Sequence, residues 1–181
     1  MLLINDLNKT FGGITALKNL KLEVHTGEVV GLIGPNGSGK TTTINLVTGI
    51  YTSDAGSVIL DGKPITNQAA DKITKAGMAR TFQNLRIFER LTVKENIKVA
   101  QNIFYSSIFD NLTVSKGRKE QELTSENEEL LRKFKLLQVK NTKAGSLSYG
   151  EKKRLEMARA LAMRPKILLL DDPAAGMSPP E

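Results

Sequence analysis

The chain has 181 residues, a formal charge of +7 and no cysteine, with 40% hydrophobic and 25% charged residues. That is enough chain for one domain with its own core, in an ordinary globular composition. Disulfides and thiolate metal sites are excluded. The densest apolar runs fall far short of the ~20 residues of a membrane span. No basic-then-apolar leader opens the sequence, so the expected place is the cytosol unless a partner holds the chain at a membrane. The positive charge raises the question of nucleic acid. Lys and Arg are scattered among acids, however, and aromatics are only 5%. No nucleic-acid partner is expected.

Taken in order, Leu2–Leu7 and Leu20–Val24 alternate partially and are predicted as strands. Thr26-Gly27-Glu28 is a turn signal. Val29–Ile33 is an unbroken apolar run beside glycine and is predicted as a buried strand. A glycine-rich loop follows, then a helix carrying Ile44, Val47 and Ile50 at helical spacing, with Gly49 near its end. Ser57–Leu60 is a short strand running into an Asp61-Gly62 turn. From about Thr92 to Gln138 the pattern is helical and strongly charged, with Leu130, Leu131, Phe134 and Leu137 on one face. Residues 110–120 are polar and read as a connection. After Gly145 a helix carries Leu155, Ala158, Leu161 and Ala162 and stops before Pro165. Ile167–Leu170 is a strand. No internal repeat is visible. Strands alternating with helices predict an α/β fold with a mostly parallel sheet, into which a helical subdomain is inserted.

The glycine-rich loop is specific. Gly34-Pro35-Asn36-Gly37-Ser38-Gly39-Lys40-Thr41 satisfies G-x-x-x-x-G-K-[ST]. Glycines let successive backbone N–H groups turn toward phosphate oxygens, and the helix that follows offers its N-terminus to the same anion. Lys40 reaches the terminal phosphates and the Thr41 hydroxyl serves Mg²⁺. Such a loop needs a carboxylate at the end of a second strand, and Asp171 closes the run Ile167–Leu170. Asp172 offers a second carboxylate for the attacking water, although Asp172-Pro173 also reads as a plain turn. Ser148 and Glu151 form a capping box at a helix start. That leaves Gly150 unexplained, since glycine weakens a first turn but admits close backbone approach. A helix N-terminus with Ser and Gly is a second anion site. In one domain it need not face the phosphate loop, whereas two copies placed head to tail close each other's sites.

With these residues in this order, the chain resembles the ATP-binding subunits of ABC transporters over essentially its full length. The resemblance implies a P-loop NTPase core of α/β type with an N-terminal antiparallel β-subdomain. It assigns 1–91 and 146–181 to the core with its β-subdomain, and about 92–145 to the helical subdomain ending in the signature. ATP and Mg²⁺ are the implied cofactors, with nucleotide contacts from Gly34, Pro35, Asn36, Gly37, Ser38, Gly39, Lys40, Thr41 and Thr42. Metal contacts are implied from Thr41, Gln83 and Asp171. Ser148, Tyr149, Gly150 and Glu151 are implied to reach the ATP of the opposite subunit. Phe11 is similar to the aromatic that stacks on adenine, its plainer reading being an ordinary core or edge Phe. Gln83, in Arg80-Thr81-Phe82-Gln83, is similar to the glutamine that senses Mg²⁺ and the attacking water, its plainer reading being a loop amide. Residues 84–91 fall where the family meets its membrane subunits, and Ala174–Ser178 where two cassettes meet. Ala79–Phe88 and Pro173–Met177 resemble the branched-chain amino acid importers of bacteria. The implied partners are a second ATPase subunit, identical or different, transmembrane permease subunits and, indirectly, a periplasmic solute-binding protein. The implied place is the cytoplasmic face of the inner membrane. Cassettes serving urea, amides or lipopolysaccharide share much of this pattern, and a non-catalytic regulator is an alternative.

Three departures stand out. Tyr149 and Glu151 replace the Gly and Gln of the general signature. Asp172 stands where the family carries its catalytic Glu, which draws the carboxylate back by roughly 1.5 Å. The family's switch histidine has no counterpart. His25, the one histidine, lies near an N-terminal turn. The chain therefore resembles a C-terminally truncated cassette, expected to be marginally stable by itself with part of its core uncovered.

Overall fold

The computed structural model describes residues 1–105 and 116–171, with side chains given for 1–101 and 125–171. The chain divides into two compact units, Met1–Met78 and Ala79–Glu181.

The first unit is built on a four-stranded antiparallel sheet in the order β2-β1-β3-β4. Strands β1 (Leu2–Phe11) and β2 (Ile14–Val24) are both longer than their apolar segments predict. They meet at Phe11 and Ile14 across Gly12-Gly13, whose φ values of 50° and 86° suit the two-residue hairpin turn that glycine allows. Pairing, rather than side-chain pattern, carries the polar ends of this ribbon. Register shifts between Ile4 and Thr10 break the strict alternation and leave Leu2, Ile4 and Leu7 together in the interior. Strands β3 (Ala55–Leu60) and β4 (Lys63–Pro64) turn at Asp61-Gly62, both with positive φ, as the dipeptide predicts. Helix α1 (Lys40–Val47) buries Ile44, Leu46 and Val47. The short α2 (Ala70–Lys75) buries Ile73.

One expectation is corrected here. Val29–Ile33 forms no strand, and Val29 and Ile33 are 98% and 97% exposed. A strand is buried by neighbours on its edges and faces, and no described strand pairs with this run. Its apolar character alone cannot supply that partner. The broad parallel sheet is correspondingly reduced, among the described residues, to the pair β5 (Met78–Arg80) and β6 (Ile167–Leu169).

The second unit holds that pair together with α3 (Val93–Tyr105), α4 (Lys116–Lys133) and α5 (Tyr149–Ala162). Val93, Ile97, Ala100, Leu131, Leu136, Leu147, Leu155 and Ala158 form one buried cluster, with Leu130, Phe134 and Leu137 packed on its flank. Of the predicted apolar face, Leu130 and Leu131 lie on α4 with Leu131 fully buried, while the helix ends at Lys133 and Phe134 and Leu137 follow it, beside the fully buried Leu136. Among the described residues no helix is long and apolar enough to cross a membrane.

Candidate functional site

In the first unit, the loop from Gly34 to Gly39 delivers the chain into α1 with no side-chain cap and no acidic residue in the first turn. The first N–H groups of the helix thus keep their donor capacity for an outside acceptor. Two glycines are required by geometry. Gly37 has φ +82°. Gly39, the N-cap, has φ +91°, and a Cβ there would lie 2.8 Å from the Ala16 carbonyl oxygen of β2. Lys40 folds back over the loop, donating from Nζ to the carbonyls of Gly34 at 2.6 Å and Pro35 at 2.8 Å. A cation at the lip of an open helix N-terminus, with no carboxylate in the first turn, fits a polyphosphate. Thr41 is exposed in that same first turn.

Phe11 closes β1 with its ring 40% exposed. It makes a T-shaped contact with Tyr51 at 5.3 Å between centroids and 71° between planes, and Lys9 Nζ lies over the ring 5.1 Å from its centroid.

In the second unit, Asp171 follows β6. Its backbone N–H donates to Thr81 Oγ1 at 3.2 Å, and the Thr81 N–H donates to the Leu169 carbonyl at 3.0 Å. Its carboxylate takes an Arg80 guanidinium nitrogen at 2.8 Å, with side chains 14% and 8% exposed. The end of β5 therefore fixes both backbone and side chain of the predicted Mg²⁺ carboxylate. Arg80 was not singled out from sequence. A basic residue ahead of Thr81-Phe82-Gln83 carries no spacing signal that reveals its partner. Gln83 is exposed on the loop after β5. Asp172 and Ala174–Ser178 lie outside the described residues.

The capping box is formed as predicted. The Glu151 N–H donates to Ser148 Oγ at 3.3 Å, and Glu151 Oε2 accepts from the Ser148 N–H at 2.9 Å and hydroxyl at 2.8 Å. Gly150 is buried and Tyr149 is 45% exposed. What sequence reading missed lies further along α5. Lys153 is fully buried and Glu156 is 5% exposed. Charged residues beside Leu155 and Ala158 read as a solvated helix face, and nothing local shows that a loop covers them.

The ABC transporter family matches residues 17–175. BraF of Pseudomonas aeruginosa, a high-affinity branched-chain amino acid transport ATP-binding protein, is 40% identical over 98% of this chain and 71% of its own length. LivG of Escherichia coli strain K12, of the same description, is 40% identical over 100% of this chain and 72% of its own length. Among solved structures, the ADP conformation of MJ1267, an ATP-binding cassette of an ABC transporter, has a TM-score of 0.81 at 32% identity, covering 99% of this chain and 71% of that one. Dimeric MJ0796, a bacterial ABC transporter cassette, has a TM-score of 0.79 at 30% identity, covering 98% of this chain and 76% of that one. The open N-terminus of α1, the lysine at its lip and the capped signature helix thus sit in a chain that belongs to the ABC transporter family, as an ATP-binding and ATP-hydrolysing subunit.

Proposed function

We propose that the chain powers uptake of branched-chain or other hydrophobic amino acids, peripheral to the cytoplasmic face of a bacterial inner membrane. The nucleotide reading is carried by the uncapped first turn of α1 behind Lys40. The solute reading is supported by the 40% identity to LivG and BraF. Partners on this reading are a second ATPase subunit, identical or different and placed head to tail, and transmembrane permease subunits. A periplasmic solute-binding protein takes part indirectly.

Each residue then has a task. Backbone N–H groups from Gly37 to Thr42 and the Lys40 ammonium hold the phosphates, and Phe11 stacks on adenine. The Thr41 hydroxyl and the Asp171 carboxylate would hold Mg²⁺, which supplies neutralisation of phosphate charge when bound. The hard oxygens of Thr41 and Asp171 suit that cation, with the remaining ligands coming from phosphate and water. Gln83 orients the attacking water and Asp172 accepts its proton. Ser148, Tyr149, Gly150 and Glu151 close over the ATP of the opposite subunit, where the α5 N-terminus faces anionic phosphate.

The test is ATP turnover in vesicles carrying the chain with its permease subunits and binding protein. Leucine and valine are expected to stimulate turnover while urea does not. Stimulation by urea alone, or by neither, contradicts the solute assignment.

A further inference from the structure

Between β5 and α3 the chain runs from Phe82 to Phe88 without regular structure, so its backbone groups need other partners. Buried side chains provide them. Glu156 Oε1 accepts from the N–H groups of Phe82 and Arg86, both at 3.3 Å. Lys153, three residues earlier on α5, donates from Nζ to the Phe82 carbonyl at 3.2 Å. It also lies 3.1 Å from Glu156 Oε2. On α3, Asn96 is fully buried, accepting the Phe88 N–H at 2.9 Å and donating to the Phe88 carbonyl at 3.0 Å. Arg159, three residues beyond Glu156, donates to the Arg86 carbonyl and lies 4.7 Å from the Phe88 ring centroid. Ile87 packs on the core cluster. Gln83 and Asn84, by contrast, are exposed.

A buried Lys–Glu pair is weak evidence of stability, because apolar residues of similar volume often do as well. Here Glu156 Oε1 and Lys153 Nζ bond the backbone of one loop, while Glu156 Oε2 faces Lys153. We infer that Lys153, Glu156 and Asn96 are positioning residues that fix the 82–88 loop, and with it Gln83, to the helix that starts at the Ser148–Glu151 signature. The inference rests on the reading of Gln83 as the water-sensing glutamine. Residues 153, 156 and 159 lie on one face of α5. The loop and the signature therefore move as one body, and a displacement of Ser148 reaches Gln83 without a flexible tether between them.

Two readouts test this. The first is amide hydrogen exchange over 82–88 in the full chain. The second is steady-state ATP turnover in the assembled transporter. The double substitution Lys153→Met with Glu156→Leu keeps the buried volume and removes the Glu156 acceptor together with the Lys153 donor. It is expected to speed exchange at Phe82 and Arg86 at least about tenfold. It is also expected to lower kcat about tenfold, with KM for ATP within about twofold. Lys153→Met with Glu156→Gln retains an oxygen in place of Oε1, leaves no unpaired buried charge, and is expected to recover protection and turnover relative to the first double variant. Unchanged exchange in the first double variant overturns the inference, as does lost protection with unchanged kcat, or an effect confined to KM. Gln83→Ala separates the underlying reading. It lowers kcat with loop protection intact if Gln83 acts on the water. If it leaves kcat unchanged, that role for Gln83 fails, while the exchange result still decides what holds the loop.

Discussion

A methyl group at Gly39 would meet the Ala16 carbonyl at 2.8 Å in a backbone with φ +91°, and neither the loop nor β2 can yield cheaply. Gly39→Ala is expected to weaken ATP binding at least about tenfold by closing the cradle, measured by calorimetric titration. Asp172, one methylene short of the glutamate in the resembled pattern, is expected to limit turnover. Asp172→Glu should raise kcat by about tenfold or more, and an unimpaired rate that the substitution leaves alone contradicts this. The loop proposed to hold phosphate was legible in the sequence because each of its requirements is local: glycines for the turn, Lys40 beside them, a helix directly after. Arg80 against Asp171 was not, because 91 positions separate them and only the β5–β6 pairing brings them together. Lys153 and Glu156 were illegible for the opposite reason. Their helix was read correctly, but the loop that buries them has no periodicity to announce it.

At the scale of elements, caps were more legible than sheets. The Ser148–Glu151 spacing announces its capping box, and Thr92–Glu95 is the same device at the start of α3. There Glu95 Oε2 accepts from the Thr92 N–H and hydroxyl, both at 2.7 Å. Thr92→Ala should lower the unfolding temperature by a few degrees, since the helix start loses its partner. The Thr92 N–H holds the Glu95 carboxyl below its ordinary 4.5. The Lys140 ammonium does the same for Glu128, ordinarily 4.5, and the Lys9 ammonium for Asp54, ordinarily 3.8. A carboxyl depressed in the fold lends stability above its unfolded value and withdraws it as pH falls through the folded one. Thermal unfolding should therefore owe no slope to these groups above about pH 5.5 and lose temperature below about pH 4.5. Strand lengths were legible only where apolar. The polar ends of β1 and β2 form because each pairs with the other. Val29–Ile33 shows the converse, an apolar run that no described strand accompanies.

At the scale of the whole molecule, the α/β fold class followed from the alternation of periods along the chain. The exact core did not. Leu136 is fully buried beside Leu131 in a cluster drawn from three helices and the segments joining them, a convergence no single helix displays. Leu155→Ala is expected to cost about 2–5 kcal/mol, read by denaturant unfolding of the full chain. The charge of +7 has no concentrated footprint in the functional residues described, and it suits a protein that works against an anionic surface or acidic partner loops.

The proposed ATP site is the open N-terminus of α1 under Lys40. Calorimetric titration of the chain with Mg·ATP, beside its Lys40→Ala variant, tests it most directly. One site is expected in the parent chain, weakened by about tenfold to a hundredfold in the folded variant as charge-assisted bonds to phosphate are lost. Equal affinity in the two proteins, or no binding by a folded parent chain, contradicts it.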